Sequence, residues 1–220
     1  MQNNRVLCVI SGGLDSTVLA YKLEREFALD FVSFDYGQRH GQRELWYAGL
    51  TAERMGVTHD IVKIPDLGAF LPSALTDQEV SVPHGHYASE QMRSTVVPNR
   101  NAIMLSIAAA IAAGREIPLV SFAAHSGDHY IYPDCRPEFV DRFNRMLLSA
   151  LEGSVAVIAP FLNQSKTDIV VEGAILSVPF ASTWSCYEGG EYHCGKCGTC
   201  YERREAFQQA GVEDPTIYEE

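Results

Sequence analysis

Residues 6–25 read VLCVISGGLDSTVLAYKLER, and the break in the middle of this stretch decides the fold. Residues 6–10 form a continuous apolar run, the pattern of a strand buried on both faces of a parallel sheet. Ser11, Gly12 and Gly13 end the run. From 17 to 25 the chain reads as a helix, with Val18, Leu19 and Leu23 apolar. A strand that turns through glycines into a helix aims the turn's N–H groups and the positive end of the helix at one spot, which favours an anion. The two glycines let the backbone turn tightly and approach a ligand closely. Ser11, Ser16 and Thr17 add hydroxyls. Asp15 adds negative charge at this point, and three readings stay open for it: a helix cap, an orienting acceptor, or a ligand for Mg²⁺ bridging phosphates. The segment is neither a GxxxxGK[ST] loop nor the GxGxxG of a dinucleotide site.

Working outward, strands are expected at 31–34, 60–64, 119–124 and 155–158, and helices at 44–55, 101–113, 138–151 and 165–176. This alternation predicts an α/β protein built on a doubly wound, five-stranded parallel sheet. Ser165 reads as an N-cap with Asp168 three residues later. The Ala-rich helix at 101–113 carries little charge and should be mostly buried. The connection 65–98, with Pro65, Pro72, Pro83 and Pro98, is long enough to be functional or mobile. A short helix is expected at 201–210. The chain divides into a catalytic domain at 1–180 and a small Cys-rich segment at 181–220.

The 220 residues are 46% hydrophobic and 20% charged, ordinary globular proportions. No apolar run approaches the roughly 20 residues of a membrane span. The start, MQNNRVLCVISGG, lacks the length and flanks of a signal peptide and reads as the first strand, so the cytoplasm is expected. With 28 acidic and 17 basic residues the formal charge is −11. Such a surface repels phosphate backbones and argues against non-specific nucleic-acid binding, leaving a local basic cleft for a small anionic substrate.

Four of the six cysteines are spaced Cys186-x7-Cys194-x2-Cys197-x2-Cys200. Four thiolates so close together fit a tetrahedral structural zinc. Gly195 and Gly198 follow cysteines, as tight metal-knuckle turns require. C-x2-C-x2-C also occurs around iron–sulfur clusters; no proline follows Cys200 and no other redox site is visible, so zinc is preferred over the iron–sulfur reading. The site reads as closed, pinning the C-terminal segment. Cys8 reads as core, and Cys135 lies in a loop without an assigned role.

SGGLDST (11–17) resembles the signature of the PP-loop ATP pyrophosphatases, the adenine-nucleotide alpha-hydrolase-like fold. SFDYGQRH (33–40), SALTD (73–77), VPNRN (97–101), YPDCRPEF (132–139) and TWSCYEGG (183–190) follow in the order found in the 7-cyano-7-deazaguanine synthase family. With the four cysteines the resemblance spans 6 to about 215. It implies an ATP-dependent ligase that converts 7-carboxy-7-deazaguanine and ammonia to the 7-cyano nitrile through an acyl-adenylate and an amide, with Mg²⁺ beside ATP and a homodimeric assembly.

The same resemblance implies roles. Ile10, Ser11, Gly12, Gly13, Leu14, Asp15, Ser16, Thr17, Val18, Leu19 and Ala20 would surround ATP, and Asp15, Ser16, Lys166 and Arg100 would serve catalysis. Asp35, Arg39 and Lys166 would also meet the nucleotide; Asp35 reads equally as a turn residue. Arg39 and His40 would meet phosphate or the substrate carboxylate, or else are solvated loop residues. Arg100 and Lys166 stand at helix starts, where a cation opposes the helix dipole and points to an anionic partner. Asp134 and Arg136 would read the deazaguanine edge, or else form a surface ion pair worth little.

One stretch departs from the family pattern: AAHSGDHYIYPDC (123–135), with His125, Asp128 and His129. It is expected to border the substrate, so a related acid is a second candidate substrate. His125 and His129 have i,i+4 spacing but lack a third ligand and read as loop histidines, as do His84 and His86. Two further activities fit the phosphate loop: a PP-loop ligase that stops at the amide, and a tRNA thiolase, whose RNA-binding face the charge does not support.

Overall fold

The computed structural model describes residues 4–87 and 90–219. Five strands, β1 (Arg5–Val9), β2 (Ala28–Asp35), β3 (Thr58–Lys63), β4 (Leu119–Ser121) and β5 (Ala156–Ile158), form one sheet in the order β3-β2-β1-β4-β5. Every pairing is parallel. The helices are α1 (Leu14–Leu23), α2 (Gly41–Met55), α3 (Leu67–Phe70), α4 (Arg100–Gly114), α5 (Pro137–Leu151), α6 (Lys166–Ile175) and α7 (Gly198–Ala210). This is the doubly wound sheet that the alternating pattern predicts. No helix among the described residues is long and apolar enough to cross a membrane.

The period of the strands sorts the core into two layers. Val6, Cys8 and Ile10 face one side with Val18 of α1, Ile169 of α6 and Phe207 of α7. Leu7 faces the other with Leu105 and Ala108 of α4 and Phe143 of α5. All but Phe143 are at most 2% exposed, and each large apolar side chain buried this way contributes roughly 1.5–3 kcal/mol. Cys8 is core, as expected, and burial pushes its thiol up to about 12.

Several boundaries differ from the sequence expectation. Helix α4 fully buries only Leu105, Ala108, Ala109 and Ala112; small alanines let it lie close to the sheet, and the remainder is mostly half-covered. Helix α7 starts at Gly198, three residues early, because Cys197 stands at its N-cap. Ser165 does cap α6, in a reciprocal capping box with Asp168. The connection 65–98 holds α3 and a 3₁₀ turn at Glu90–Thr95, with Ala88 and Ser89 outside the described residues.

Residues 181–219 are continuous with the main body. Ala206 and Phe207 share the core of β1, and the Trp184 N–H donates to the Gly12 carbonyl at 2.9 Å. Arg203, fully buried, donates to the Phe180 carbonyl (3.0 Å), Thr183 Oγ1 (2.8 Å) and Asp214 Oδ1 (3.1 Å) and so ties α7 to the preceding loop.

Candidate functional site

The strand order reverses between β1 and β4, and at such a point the loops leaving the two strands splay apart and open a crevice at the carboxyl edge. A cavity of about 240 Å³ lies there. The loop after β1, the segment after β4, the start of α4 and the start of α6 all contribute to its wall.

The loop after β1 is shaped by its neighbours. Gly12 has φ +73°, and a Cβ there would sit 2.5 Å from the Ala48 nitrogen and 2.6 Å from the Glu44 carbonyl. Its glycine is therefore demanded by the passage of α2, while Gly13 lines the cavity. The Ser11 hydroxyl accepts from the Gly13 N–H at 3.2 Å, and Ser16 Oγ donates to the Gly13 carbonyl at 3.2 Å. Helix α1 has no side-chain cap, which removes the capping reading of Asp15. Ile10, Ser11, Leu14 and Ser16 also line the cavity. Thr17, Val18, Leu19 and Ala20 are buried behind it as core.

Lys166, the first residue of α6, dominates one end. Its Nζ lies 2.6 Å from Asp15 Oδ2, 3.3 Å from Glu202 Oε2 and 3.5 Å from His125 Nε2. Burial opposes the lysine's charge, yet the attraction of Asp15, Glu202 and Asp128 holds its pKa above the ordinary lysine value. Burial likewise opposes the Asp15 charge, and Lys166 and His125 outweigh it, so its carboxyl titrates below the usual range. Glu202 goes the other way: burial raises it more than Lys166 lowers it. The second Asp15 oxygen, Oδ1, is buried without a hydrogen-bond partner among the described residues.

Arg100, the first residue of α4, dominates the other end. Among the described residues no carboxylate forms an ion pair with it. Its guanidinium lies 3.5 Å from the Tyr36 hydroxyl and 6.0 Å from the centroid of Tyr132. The Tyr132 hydroxyl contacts Thr95 Oγ1 (2.7 Å) and the Tyr187 hydroxyl (3.3 Å). His40 lines the cavity beside Tyr187 at 5.3 Å between ring centres, and burial lowers its pKa against the pull of Glu44.

Four residues expected here point elsewhere. Asp35 accepts from the Gly37 N–H at 3.4 Å, a turn contact outside the cavity wall. Arg39 donates to the carbonyls of Asp77 (2.8 Å) and Val80 (2.7 Å) and pairs with Glu188 at 3.5 Å, stapling two loops. Asp134 accepts from the Asn101 N–H at 2.9 Å and so serves the first turn of α4. Arg136 is exposed and donates to the His129 carbonyl at 2.8 Å. Asp134 and Arg136 form no mutual ion pair either, because each has a closer backbone partner.

Further wall residues carried no assigned role in the sequence. Asp128 is held in a 3₁₀ turn (Ser126–Tyr130), where its Oδ2 accepts from the His125 N–H at 3.2 Å and His125 Nδ1 accepts from the Gly127 N–H at 3.1 Å. Its Oδ1 accepts from the Tyr87 hydroxyl at 3.1 Å. Among the described residues, His125 and His129 belong to no group of three or more side chains that could hold a metal ion. Glu202 arrives on α7, and its side of the helix is set by tertiary packing alone. Cys135 lines the wall as a buried thiol whose pKa burial pushes well up. His84 pairs with Glu188 at 3.5 Å and His86 with Glu205 at 3.8 Å, both largely exposed.

The four clustered cysteines come together as the spacing predicts. Their sulfurs lie within 4.8 Å of one another and all four residues are buried. The N–H groups of Cys194, Lys196 and Cys197 point at sulfurs at 3.2–3.4 Å, contacts that favour thiolates. Gly195 takes φ +70° between them. The cluster could bind a metal, and it adjoins the cavity: Trp184, Ser185, Thr199 and Glu202, all near the cysteines in sequence, line the wall.

Comparison with known proteins agrees with this architecture. The family model described as "Queuosine biosynthesis protein QueC" matches residues 5–211. The chain is similar to 7-cyano-7-deazaguanine synthase of Brucella anthropi, 56% identical over 220 residues, covering 98% of this chain and 94% of the relative. It is 58% identical to the synthase of Rhizobium rhizogenes over 98% of this chain and 92% of the relative. Among solved structures, the NMN synthetase of Francisella tularensis has the same fold, with a TM-score of 0.52 at 16% identity over 96% of this chain and 79% of that one. With a family model spanning nearly the whole chain and relatives above half identity, the chain belongs to the 7-cyano-7-deazaguanine synthase family of queuosine biosynthesis.

Proposed function

We propose that the chain activates the carboxylate of 7-carboxy-7-deazaguanine with ATP, lets ammonia convert it to the amide, and activates the amide again to give the nitrile. The observation that carries this reading is one cavity with an anion-binding turn and Lys166 at one end and the unmatched Arg100 at the other. A carboxylate is a poor electrophile. Its oxygen attacks the α-phosphorus of ATP, pyrophosphate leaves, and the acyl carbon then carries AMP as leaving group. Ammonia adds, a proton is lost and AMP departs, giving the amide. The amide oxygen attacks a second ATP, pyrophosphate leaves again, and loss of AMP and both nitrogen protons forms the nitrile. Both rounds need the same features: a positive, water-poor cradle and an acyl carbon held in line.

The assignments follow the geometry. Ser11, Gly13, Ser16 and the first turn of α1 hold phosphate, Lys166 neutralises it, and Arg100 draws the carboxylate toward it. Asp15 is the residue fitted to hold Mg²⁺, because its buried Oδ1 has no partner among the described residues and Asp128 and Glu202 add negative charge beside one lysine. The ion would supply charge neutralisation of the phosphates. Zinc is the metal we assign to the cysteines, because four buried thiolates within 4.8 Å of one another suit a tetrahedral structural site. We further propose a homodimer working in the cytoplasm, on the family resemblance. The test is a heavy-oxygen label in the substrate carboxylate. The mechanism predicts that both labelled oxygens leave on AMP; label released only as water would contradict it.

A further inference from the structure

Three hydroxyls in the cavity region form a chain whose direction is fixed. Thr95 Oγ1 gives its one proton to the Met92 carbonyl at 2.7 Å, so it accepts from the Tyr132 hydroxyl at 2.7 Å. Tyr132 has then spent its proton and accepts from the Tyr187 hydroxyl at 3.3 Å. A hydroxyl has one proton and two lone pairs, so the Tyr187 oxygen is left as an acceptor only. The Tyr87 hydroxyl likewise spends its proton on Asp128 Oδ1 at 3.1 Å. Tyr87, Asp128, Tyr132 and Tyr187 all line the cavity.

Asp128 adds a carboxylate to this set of acceptors. Its Oδ2 accepts from the His125 N–H at 3.2 Å, and each of its oxygens keeps a further lone pair. Lys166 is already shared by Asp15 and Glu202, and among the described residues no lysine or arginine pairs with Asp128. Burial raises the pKa values of Tyr87, Tyr132 and Tyr187, and the Asp128 charge pushes all three the same way. A wall of this kind suits a small ligand that only donates. Ammonium has four N–H groups and no acceptor; a carboxylate pairs with its charge and tyrosine faces attract it. The acyl carbon that receives nitrogen is joined through one oxygen to the α-phosphorus, so the nucleophile must wait near the phosphate end. Asp128 meets that demand, because His125 Nε2, 3.6 Å from its Oδ2, lies 3.5 Å from Lys166 Nζ.

We propose that Asp128, with the acceptor oxygens of Tyr87 and Tyr187 in the same wall, docks the ammonium that supplies the amide nitrogen. This rests on the function proposed above. The test separates the two rounds of activation, because only the first consumes ammonium. AMP release is followed with the acid plus ammonium, and with the amide supplied directly, in wild type, Asp128→Asn and Tyr187→Phe. In Asp128→Asn, kcat/KM for ammonium falls roughly 10- to 100-fold, and the fall is carried by KM. It exceeds any loss on the amide by about fivefold or more. Equal losses in the two rounds, or an unchanged KM for ammonium, would overturn the assignment. Tyr187→Phe keeps the carboxylate and raises KM for ammonium by a smaller factor, about three- to tenfold; if Asp128→Asn fails to fold, an unchanged KM in Tyr187→Phe overturns it instead. Wild type that releases AMP with neither acid nor amide would sink the proposed function itself, a result distinct from a lost response to ammonium.

Discussion

Lys166 and Arg100 occupy matching places, each the first residue of a helix whose start lines the cavity at the carboxyl edge of the sheet, yet their surroundings are opposite. Lys166 sits among Asp15, Glu202 and Asp128, whereas Arg100 sits among tyrosine rings with no carboxylate partner among the described residues. A cation surrounded by its own acids is part of the stability of the fold, and phosphate can reach it only if some of that negative charge is shared with a metal ion. A cation left unmatched at a helix N-terminus costs stability and gains a partner when an anion binds. The difference separates a residue that holds the site together from one that waits for substrate.

The largest perturbation removes the acid that comes from furthest away in the chain. Glu202 is carried by α7, whose start is fixed by Cys197 and Cys200. Extracting the ion proposed for the four thiolates with a strong chelator should lower unfolding stability by about 5 kcal/mol or more, and amide exchange should rise at residues 11–17 through the Trp184 to Gly12 contact. Unchanged exchange there would break the link between the two regions. Next, Lys166→Ala strands two buried acids. It should cost about 3–5 kcal/mol in denaturant unfolding and slow pyrophosphate release about 10²- to 10³-fold.

Arg100→Gln should do the reverse. Catalytic efficiency toward the acid falls roughly 10- to 100-fold, while unfolding stability stays level or rises. A stability loss as large as that of Lys166→Ala would erase the contrast. The smallest effect is in pH. Asp15 has a folded pKa below its unfolded value near 3.8, so its contribution is present above that value and is lost as pH falls through the folded one. Lys166 is raised above 10.5, so its contribution is full below that value and is lost as pH rises through the folded one. Their pair therefore stabilises between about pH 4 and pH 10. Urea midpoints should drop at both margins in wild type and in Arg100→Gln, and the acid-side drop should shrink in Lys166→Ala.

The two cations also mark how far the sequence could be read. The sheet, the glycine turn, the Ser165 cap and the cysteine cluster were legible because each depends on a local pattern: period, φ, capping chemistry or spacing. Lys166 and Arg100 were legible because a cation at a helix start is locally odd. Asp134 and Arg136 were equally conspicuous, yet Asp134, in a 3₁₀ turn at Pro133–Cys135, meets the backbone of α4, and Arg136, just after it, meets the His129 carbonyl. Glu202 gave no signal, since only the packing of α7 decides which of its faces meets the cavity. Gly12 was read for a ligand, but its close neighbour is α2, a contact between segments some 30 residues apart.

The central claim is that this cavity carries an acid through two activations to a nitrile. Its most direct test is a mass spectrum of the product from ATP, Mg²⁺, ammonium and 7-carboxy-7-deazaguanine, with AMP counted alongside. The account predicts the nitrile with two AMP per molecule formed. An amide accumulating as the end product with one AMP, or AMP released without any change in the acid, would contradict it.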